Sequence, residues 1–293
     1  MAVAVGSDYR VSCGPLDADP GSLTATDRAV LARLRRRRRR EKVGGVLVAE
    51  TQLFELARFL ERHYARDRRG TVLDLGAGSR PYRDLYVRFF ERAISADVLT
   101  SPHDVREVEV TASAESLPFE DRSFDAVICT EVLEHCRNPA QAVREVARIL
   151  RPGGRAFITT PFLVQLHEMP HDFFRYTPCA LTGLAADAGL EVTSVVTRGD
   201  YLALMLTLLA FPVSKLFQKL STTLRINLHR PENPIVYLAL VLPQRLYFAR
   251  WRRMRMGGAP LFRRIHERLN YFALGYVLVV CRPAAGEAVP VWT

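Results

Sequence analysis

Reactive side chains crowd the run His167-Glu168-Met169-Pro170-His171-Asp172-Phe173-Phe174-Arg175-Tyr176-Thr177. Its first five residues match H-E-x-x-H, a pattern that binds zinc only when both histidines project from one helical face. Pro170 falls inside that span and breaks a helix, so no metal is expected here. A histidine near its ordinary pKa suits proton transfer at neutral pH. His167, His171 and Asp172 are therefore candidates for a base and its orienting group. His135, at the end of Glu131-Val132-Leu133-Glu134-His135, is another, unless Glu134 and His135 only begin a helix.

A second group is Val72-Leu73-Asp74-Leu75-Gly76-Ala77-Gly78-Ser79-Arg80-Pro81-Tyr82, an apolar strand running into a glycine turn and a helix start. Gly76 and Gly78 let a ligand approach the backbone at the carboxyl end of the strand, where open α/β sheets bind their ligands. A dinucleotide-binding loop needs a third glycine where Pro81 stands, which argues against NAD and FAD. About 20 residues further on, Asp97 stands where a carboxylate can accept hydrogen bonds from ribose hydroxyls, or act as a cap or a solvent-facing acid.

These residues need a scaffold, and the apolar pattern supplies one. Short runs at Thr71–Leu75, Ala93–Val98, Val108–Thr111, Phe124–Thr130 and Ala156–Thr160 alternate with helical stretches, which predicts βαβ units and a mostly parallel sheet. An amphipathic helix over about 46–66 precedes the first strand. Another, with Ala140, Val143, Val146, Ala147 and Leu150 on one face, precedes the fifth and should stop at Pro152-Gly153-Gly154. Sixth and seventh strands are expected at Gly189–Val196 and Tyr271–Cys281, with a long apolar and basic stretch between them. The expected organisation is a leader over 1–45, a core over 46–200, a helical insertion over 201–269, and a last strand and tail over 270–293.

Continuing along the chain, Ala114-Glu115-Ser116-Leu117-Pro118-Phe119 is followed by a strand ending in Glu131-Val132-Leu133-Glu134-His135, and then by Leu150-Arg151-Pro152-Gly153-Gly154. With the LDLGAG loop and Asp97, these ordered motifs over about 46–200 resemble the class I S-adenosylmethionine-dependent methyltransferases, in particular those acting on small molecules. The resemblance implies a doubly wound, seven-stranded, Rossmann-like α/β fold with S-adenosyl-L-methionine as cofactor. It implies that Asp74 and the Gly76-Ala77-Gly78 loop cradle the methionine part, and that Asp97 binds the ribose. Ser113, Ala114 and Glu115 would border the adenine, and Glu131 would stand near the methionine end. Family members often carry aspartate where this chain has Ser113, so backbone groups would contact the adenine amino group here. Two glycines and several acids suit a ligand with an ammonium and a sulfonium but no phosphate.

The segment from His167 to Thr177 is similar to one found in bacterial methyltransferases associated with glycan modification, which implies a loop over the acceptor. Methyl transfer requires alignment of an acceptor oxygen with the sulfonium and removal of its proton. Arg175 and Tyr176 would hold that acceptor or close the pocket; alternatively Asp172 and Arg175 form a structural pair. The expected acceptor is a hydroxyl of a glycan, glycolipid or glycosylated small molecule, for example a redox cofactor such as mycofactocin. A polyprenyl quinone is the second expectation, and a non-catalytic membrane-associated protein the third.

The five cysteines, at 13, 129, 136, 179 and 281, have no disulfide or zinc spacing, and Ser7 to Arg10 interrupt any secretory signal, so a cytoplasmic setting is expected. The net charge is +10, with an arginine run at 35–40. No aromatic residues interleave with it, so no nucleic-acid partner is expected. The insertion offers a different partner. Its apolar runs Tyr201–Phe211 and Ile235–Leu242 are each too short to cross a bilayer. Lys215, Lys219, Arg245, Arg250, Arg252, Arg253, Arg255, Arg263, Arg264 and Trp251 flank them. Peripheral attachment to an anionic inner leaflet is expected, or else helices that cover the sheet or join two subunits.

Overall fold

The structure, a computed structural model, describes residues 46–65, 68–224, 233, 237–255 and 272–284. The leader, the arginine run at 35–40, and Ile235, Val236, Arg263, Arg264 and Tyr271 lie outside the described residues. Seven strands form one sheet: β1 (Thr71–Leu75), β2 (Arg92–Asp97), β3 (Val110–Thr111), β4 (Phe124–Thr130), β5 (Leu150–Pro161), β6 (Glu191–Arg198) and β7 (Gly275–Cys281). Their order is β3-β2-β1-β4-β5-β7-β6. The pairings among β1 to β5 are parallel, while β7 runs antiparallel between β5 and β6. The expected doubly wound, mostly parallel Rossmann-like sheet is thus observed. The strand order reverses between β1 and β4, and ligands bind outside the carboxyl ends of strands at such a point.

Helices cover both faces. One apolar cluster joins α1 (Val46–Tyr64), through Leu53, Phe54, Leu56 and Leu60, to Tyr86, Phe157 and Val277. The other joins α3 (Pro139–Ile149) and α4 (Pro178–Asp187) to Leu73, Val127 and Ile158. A short α2 (Arg83–Tyr86) follows the glycine turn. The Asn138 side chain caps α3 by accepting from the Gln141 N–H at 3.1 Å, and Pro139 stands in its first turn.

Several expectations are corrected. The Pro152-Gly153-Gly154 turn lies inside a strand: α3 ends at Ile149, Leu150 already pairs with Phe124, and pairing resumes at Arg155 opposite Ala126 after a bulge. Gly153, at φ +79, provides the bend. Glu134 and His135 do not begin a helix on α3; Leu133–His135 is a separate 3₁₀ turn.

The insertion is not an isolated unit. After α5 (Tyr201–Leu224) and a π-helical turn (Tyr237–Val241), α6 (Leu242–Arg255) returns onto α1. Phe248 and Trp251 sit against Phe54 with ring centroids 6.2 and 5.4 Å away. Trp251 is therefore buried in the core and is no interfacial anchor, because the Phe54 face of α1 needs a cover. Nor is Arg250 a free surface cation: it donates to the buried Asp200 carboxylate at 3.3 Å and lies over the Tyr247 ring. The same Asp200 caps α5 by accepting from the Ala203 N–H.

The largest correction concerns α5. The helix runs through Pro212 for 24 residues, not 11, and is long and apolar enough by length and composition to cross a membrane. At 1.5 Å per residue it is roughly 36 Å long. The apolar run is short, but the Ser, Lys and Gln residues after Pro212 continue the helix instead of ending it.

Candidate functional site

Strand β1 ends under the glycine turn. Gly76 and Gly78 take φ of +68 and +48, conformations that side chains resist, and a Cβ on Gly76 would run into the Val132 side chain. Gly76 and Ala77 donate backbone N–H groups to the Ala96 carbonyl at 2.8 and 3.1 Å, which ties the turn to β2. Asp97, the last residue of β2, accepts from the Gly78 N–H and the Val98 N–H, each at 2.7 Å. Each carboxylate oxygen can accept a further bond, so Asp97 both shapes the turn and remains available to a ribose. Asp74 is buried and accepts from the Tyr86 hydroxyl at 2.9 Å. Burial pushes its pKa up to about 7, against the opposing hydrogen bond from Tyr86.

Ala114 and Glu115 form the next wall of the cavity. The Glu115 carboxylate accepts from the Asn138 N–H at 3.1 Å, which joins the expected adenine side to the cap of α3.

Glu131 follows β4 in a left-handed conformation, at φ +54. Its Oε1 lies 2.8 Å from the Arg198 guanidinium and accepts from the Thr159 hydroxyl at 2.8 Å. The Gln52 amide of α1 in turn donates to Thr159 at 3.0 Å. Arg198 is fully buried and also donates to the Thr160 carbonyl at 2.9 Å. It passes over Gly275, where any side chain would meet its guanidinium. Three elements, α1, β5 and β6, thus hold one carboxylate, which fixes Glu131 beside the glycine turn.

On the reaction side, residues 163–177 form no helix, so His167 and His171 do not share a helical face. His135 and His167 come together instead, with ring centroids 5.0 Å apart. Their Nε2 atoms lie 3.6 and 3.9 Å from Oε1 of the buried Glu134, and Glu168 reaches His135 at 3.6 Å. His171 stands exposed at the rim, and its carbonyl oxygen lies 2.7 Å from His135 Nδ1. Asp172 accepts two bonds from Arg175, at 2.6 and 2.8 Å, and one from the His167 N–H at 2.9 Å. The Arg175 guanidinium holds its pKa down at about 2. Asp172 and Arg175 therefore form the structural pair, though Arg175 also lines the cavity. Tyr176 is corrected: it is buried and donates to the Leu133 carbonyl at 2.8 Å, so it fastens the loop from below and does not face an acceptor.

The glycine turn, Asp74, Asp97, Glu115, Glu131, His135, His167, Glu168, His171 and Arg175 line one cavity of about 2030 Å³. Single-ligand pockets run to roughly 1,000 Å³, so the volume accommodates a cofactor and a second molecule. The far wall is α5, with Leu204, Thr207, Leu208, Phe211, Ser214, Lys215 and Gln218 at helical spacing. Sequence reasoning missed His103, Gln52 and Arg198. His103 packs over Gly78 and reaches Glu168 at 3.0 Å, bridging the loop after β2 to the loop after β5. No local pattern marks these residues, because each acts on a partner distant in the chain.

A family model described as "Methyltransferase domain" matches residues 73–158, which hold the end of β1, all of β2, β3 and β4, and most of β5. Curated relatives include the ubiquinone biosynthesis O-methyltransferase of Pseudomonas paraeruginosa, 32% identical over 110 residues, covering 32% of this chain and 46% of that protein. The protein of the same name from Dechloromonas aromatica is 44% identical over 110 residues, with the same coverage. The chain thus spans about half the length of the curated relatives it matches. Among solved structures, the cyclase SpnF aligns with a TM-score of 0.48 at 16% identity, covering 79% of this chain and 82% of that one. With this strand order and a glycine turn closed by Asp97, residues 73–158 match a methyltransferase domain set on a Rossmann-like sheet.

Proposed function

We propose that the chain transfers a methyl group from S-adenosyl-L-methionine to a hydroxyl oxygen of an acceptor that has an apolar part, at or near the inner face of a membrane. One observation carries this reading: a single cavity runs from the glycine turn, past the histidine cluster, to the apolar face of α5. The residues present fit the cofactor, since the positive-φ glycines leave a cradle that side chains would fill, and the donor set is acidic and without a phosphate site. Asp74 and Glu131 suit its ammonium, and Asp97 its ribose hydroxyls. When bound, the cofactor supplies a methyl group on a cationic sulfur. Glu131, clamped by Arg198, keeps the reacting end in place. The cluster of His135, His167 and Glu134 receives the acceptor oxygen and its proton. Leu204, Leu208 and Phe211 hold the acceptor's apolar part and exclude water from the reacting atoms.

A free glycan makes poor use of such a wall, so within the expected acceptors a glycolipid is favoured. The names of the relatives favour a prenylated phenol or quinone. The two separate in one experiment. Purified chain is incubated with methyl-labelled S-adenosylmethionine and either glycolipid extracts or prenylated phenols. Label should enter one lipid fraction and be lost with His135→Ala. No label in any acceptor, together with no cofactor binding in calorimetry, would leave a non-catalytic protein with a methyltransferase fold.

The outward side of α5 supports a peripheral attachment. Leu202, Leu209 and Leu216 recur every seven residues on one face, and Leu209 and Leu216 are 64% and 54% exposed. Lys219 is exposed on the same side and suits an anionic surface, whereas Lys215 lines the cavity.

A further inference from the structure

We propose that Glu134, His135 and His167 form a binding site for one divalent transition-metal ion of the zinc class. Their donor atoms all lie within 4.8 Å of one another. The site departs from the expectation of no metal, which concerns the H-E-x-x-H pair His167 and His171. The convergent set is a different one, assembled from the turn after β4 and the loop after β5.

Three observations point to a cation. Glu134 is 0% exposed, and neither of its carboxylate oxygens has a hydrogen-bond partner. Burial and the neighbouring Glu131 charge push its pKa well up, and Arg198 and Arg175 offset this only in part and through space. A buried carboxylate without a partner is costly, so such a group marks a missing positive charge. Second, the His135 Nδ1 atom lies 2.7 Å from the His171 carbonyl oxygen, which can only accept. That bond places the proton on Nδ1 and leaves the Nε2 lone pair facing the oxygens of Glu134 and Glu168. Acceptors facing one another require something positive between them, a proton or an ion.

Third, the spacings of 3.6 and 3.9 Å from Glu134 Oε1 to the two Nε2 atoms are too long for hydrogen bonds. They approach the separation of two ligands on one ion, about 3.4 Å for bonds of about 2.1 Å at tetrahedral angles. Both imidazoles also have an oxygen behind them, as zinc ligands do: the His171 carbonyl at 2.7 Å from His135 Nδ1, and the Gln165 carbonyl at 3.4 Å from His167 Nδ1, with Asp172 Oδ2 at 3.5 Å. Two imidazoles and one carboxylate favour zinc-class ions over magnesium or calcium. Three protein ligands leave a coordination position open toward the cavity for an acceptor oxygen, and a bound ion would then lower that oxygen's pKa in place of the imidazoles acting as base. That last role rests on the proposed methyl transfer, but the site itself does not.

The test uses the full-length chain, purified without a histidine tag, stripped with a chelator and dialysed, with neither cofactor nor acceptor present. Zinc titrated in a calorimeter should bind at one equivalent per chain, and cobalt should give the visible absorption of a low-coordinate site. His167→Ala and Glu134→Gln should each weaken zinc binding by more than about tenfold, whereas His171→Ala should retain one equivalent. His167 is on a partly exposed loop, so its variant remains informative even if the Glu134 variant fails to fold by circular dichroism. Binding of less than half an equivalent by the native chain, or unchanged binding in His167→Ala, would overturn the site. Cofactor calorimetry on the same stripped protein is independent, so loss of the metal site and loss of the methyltransferase reading are separable.

Discussion

Replacing Arg198 with methionine removes the guanidinium that fixes Glu131 while keeping most of the buried volume. The change breaks the 2.8 Å ion pair with Glu131 Oε1 and the 2.9 Å bond to the Thr160 carbonyl. Breaking a fully buried pair by removing one partner costs about 3–5 kcal/mol. Glu131 is 24% exposed and keeps its bond from Thr159, so water relieves part of that cost. A net loss of about 2–3 kcal/mol follows, which lowers the melting temperature by roughly 5–10 °C for a domain of this size. Glu131 is then free to turn from the cavity, so cofactor affinity should fall by about tenfold or more. The decisive measurement is a double-mutant cycle with Glu131→Gln, read by both denaturation and calorimetry. In the Glu131→Gln background the Arg198 change should cost about 1–3 kcal/mol less than in the native chain. Additive effects, or native cofactor affinity in Arg198→Met, would refute the claim that Arg198 acts through Glu131.

The Asp97→Ala change should weaken cofactor binding by about 1.5–3 kcal/mol in calorimetry, since a charged acceptor is lost to the ribose and the Gly78 N–H loses its partner. Burial raises the Asp74 pKa to about 7, so in the ligand-free chain Asp74 favours folding while protonated, and that contribution is lost as pH rises from about 4 through about 7. A cofactor ammonium needs the ionised form, so affinity should climb up to about tenfold per pH unit below pH 7 and then level off; Asp74→Asn should flatten the curve, and a native slope in that variant would count against the contact. His135→Ala and His167→Ala should each lower turnover with cofactor affinity nearly unchanged, and full turnover in both would remove the cluster from the reaction. Leu209→Gln with Leu216→Gln should reduce co-sedimentation with anionic vesicles and leave cofactor affinity intact; equal sedimentation of native and variant chains would assign the outer face of α5 to another role.

Local sequence was enough for the sheet and the cofactor turn. Parallel strands buried on both faces must be short continuous apolar runs, and the runs at Thr71–Leu75 and Phe124–Thr130 recur unchanged as β1 and β4. The positive φ of Gly76 and Gly78 and the place of Asp97 at the end of β2 follow from residue type and spacing within one βαβ unit. Tertiary structure alone decided the rest. Arg198 reads as one more cation until β6 and β7 bring it through the space above Gly275 to Glu131. Tyr176 and Trp251 read as contact residues until packing buries them, because an amphipathic ring does not announce which end is wet. Glu134 reads as the start of a helix, and only the fold of the loop after β5 sets His167 across from it. The reason is the same in each case: spacing along the chain specifies periodic backbone and tight turns, whereas a charge pair between residues 67 apart, such as Glu131 and Arg198, depends on where separate elements meet.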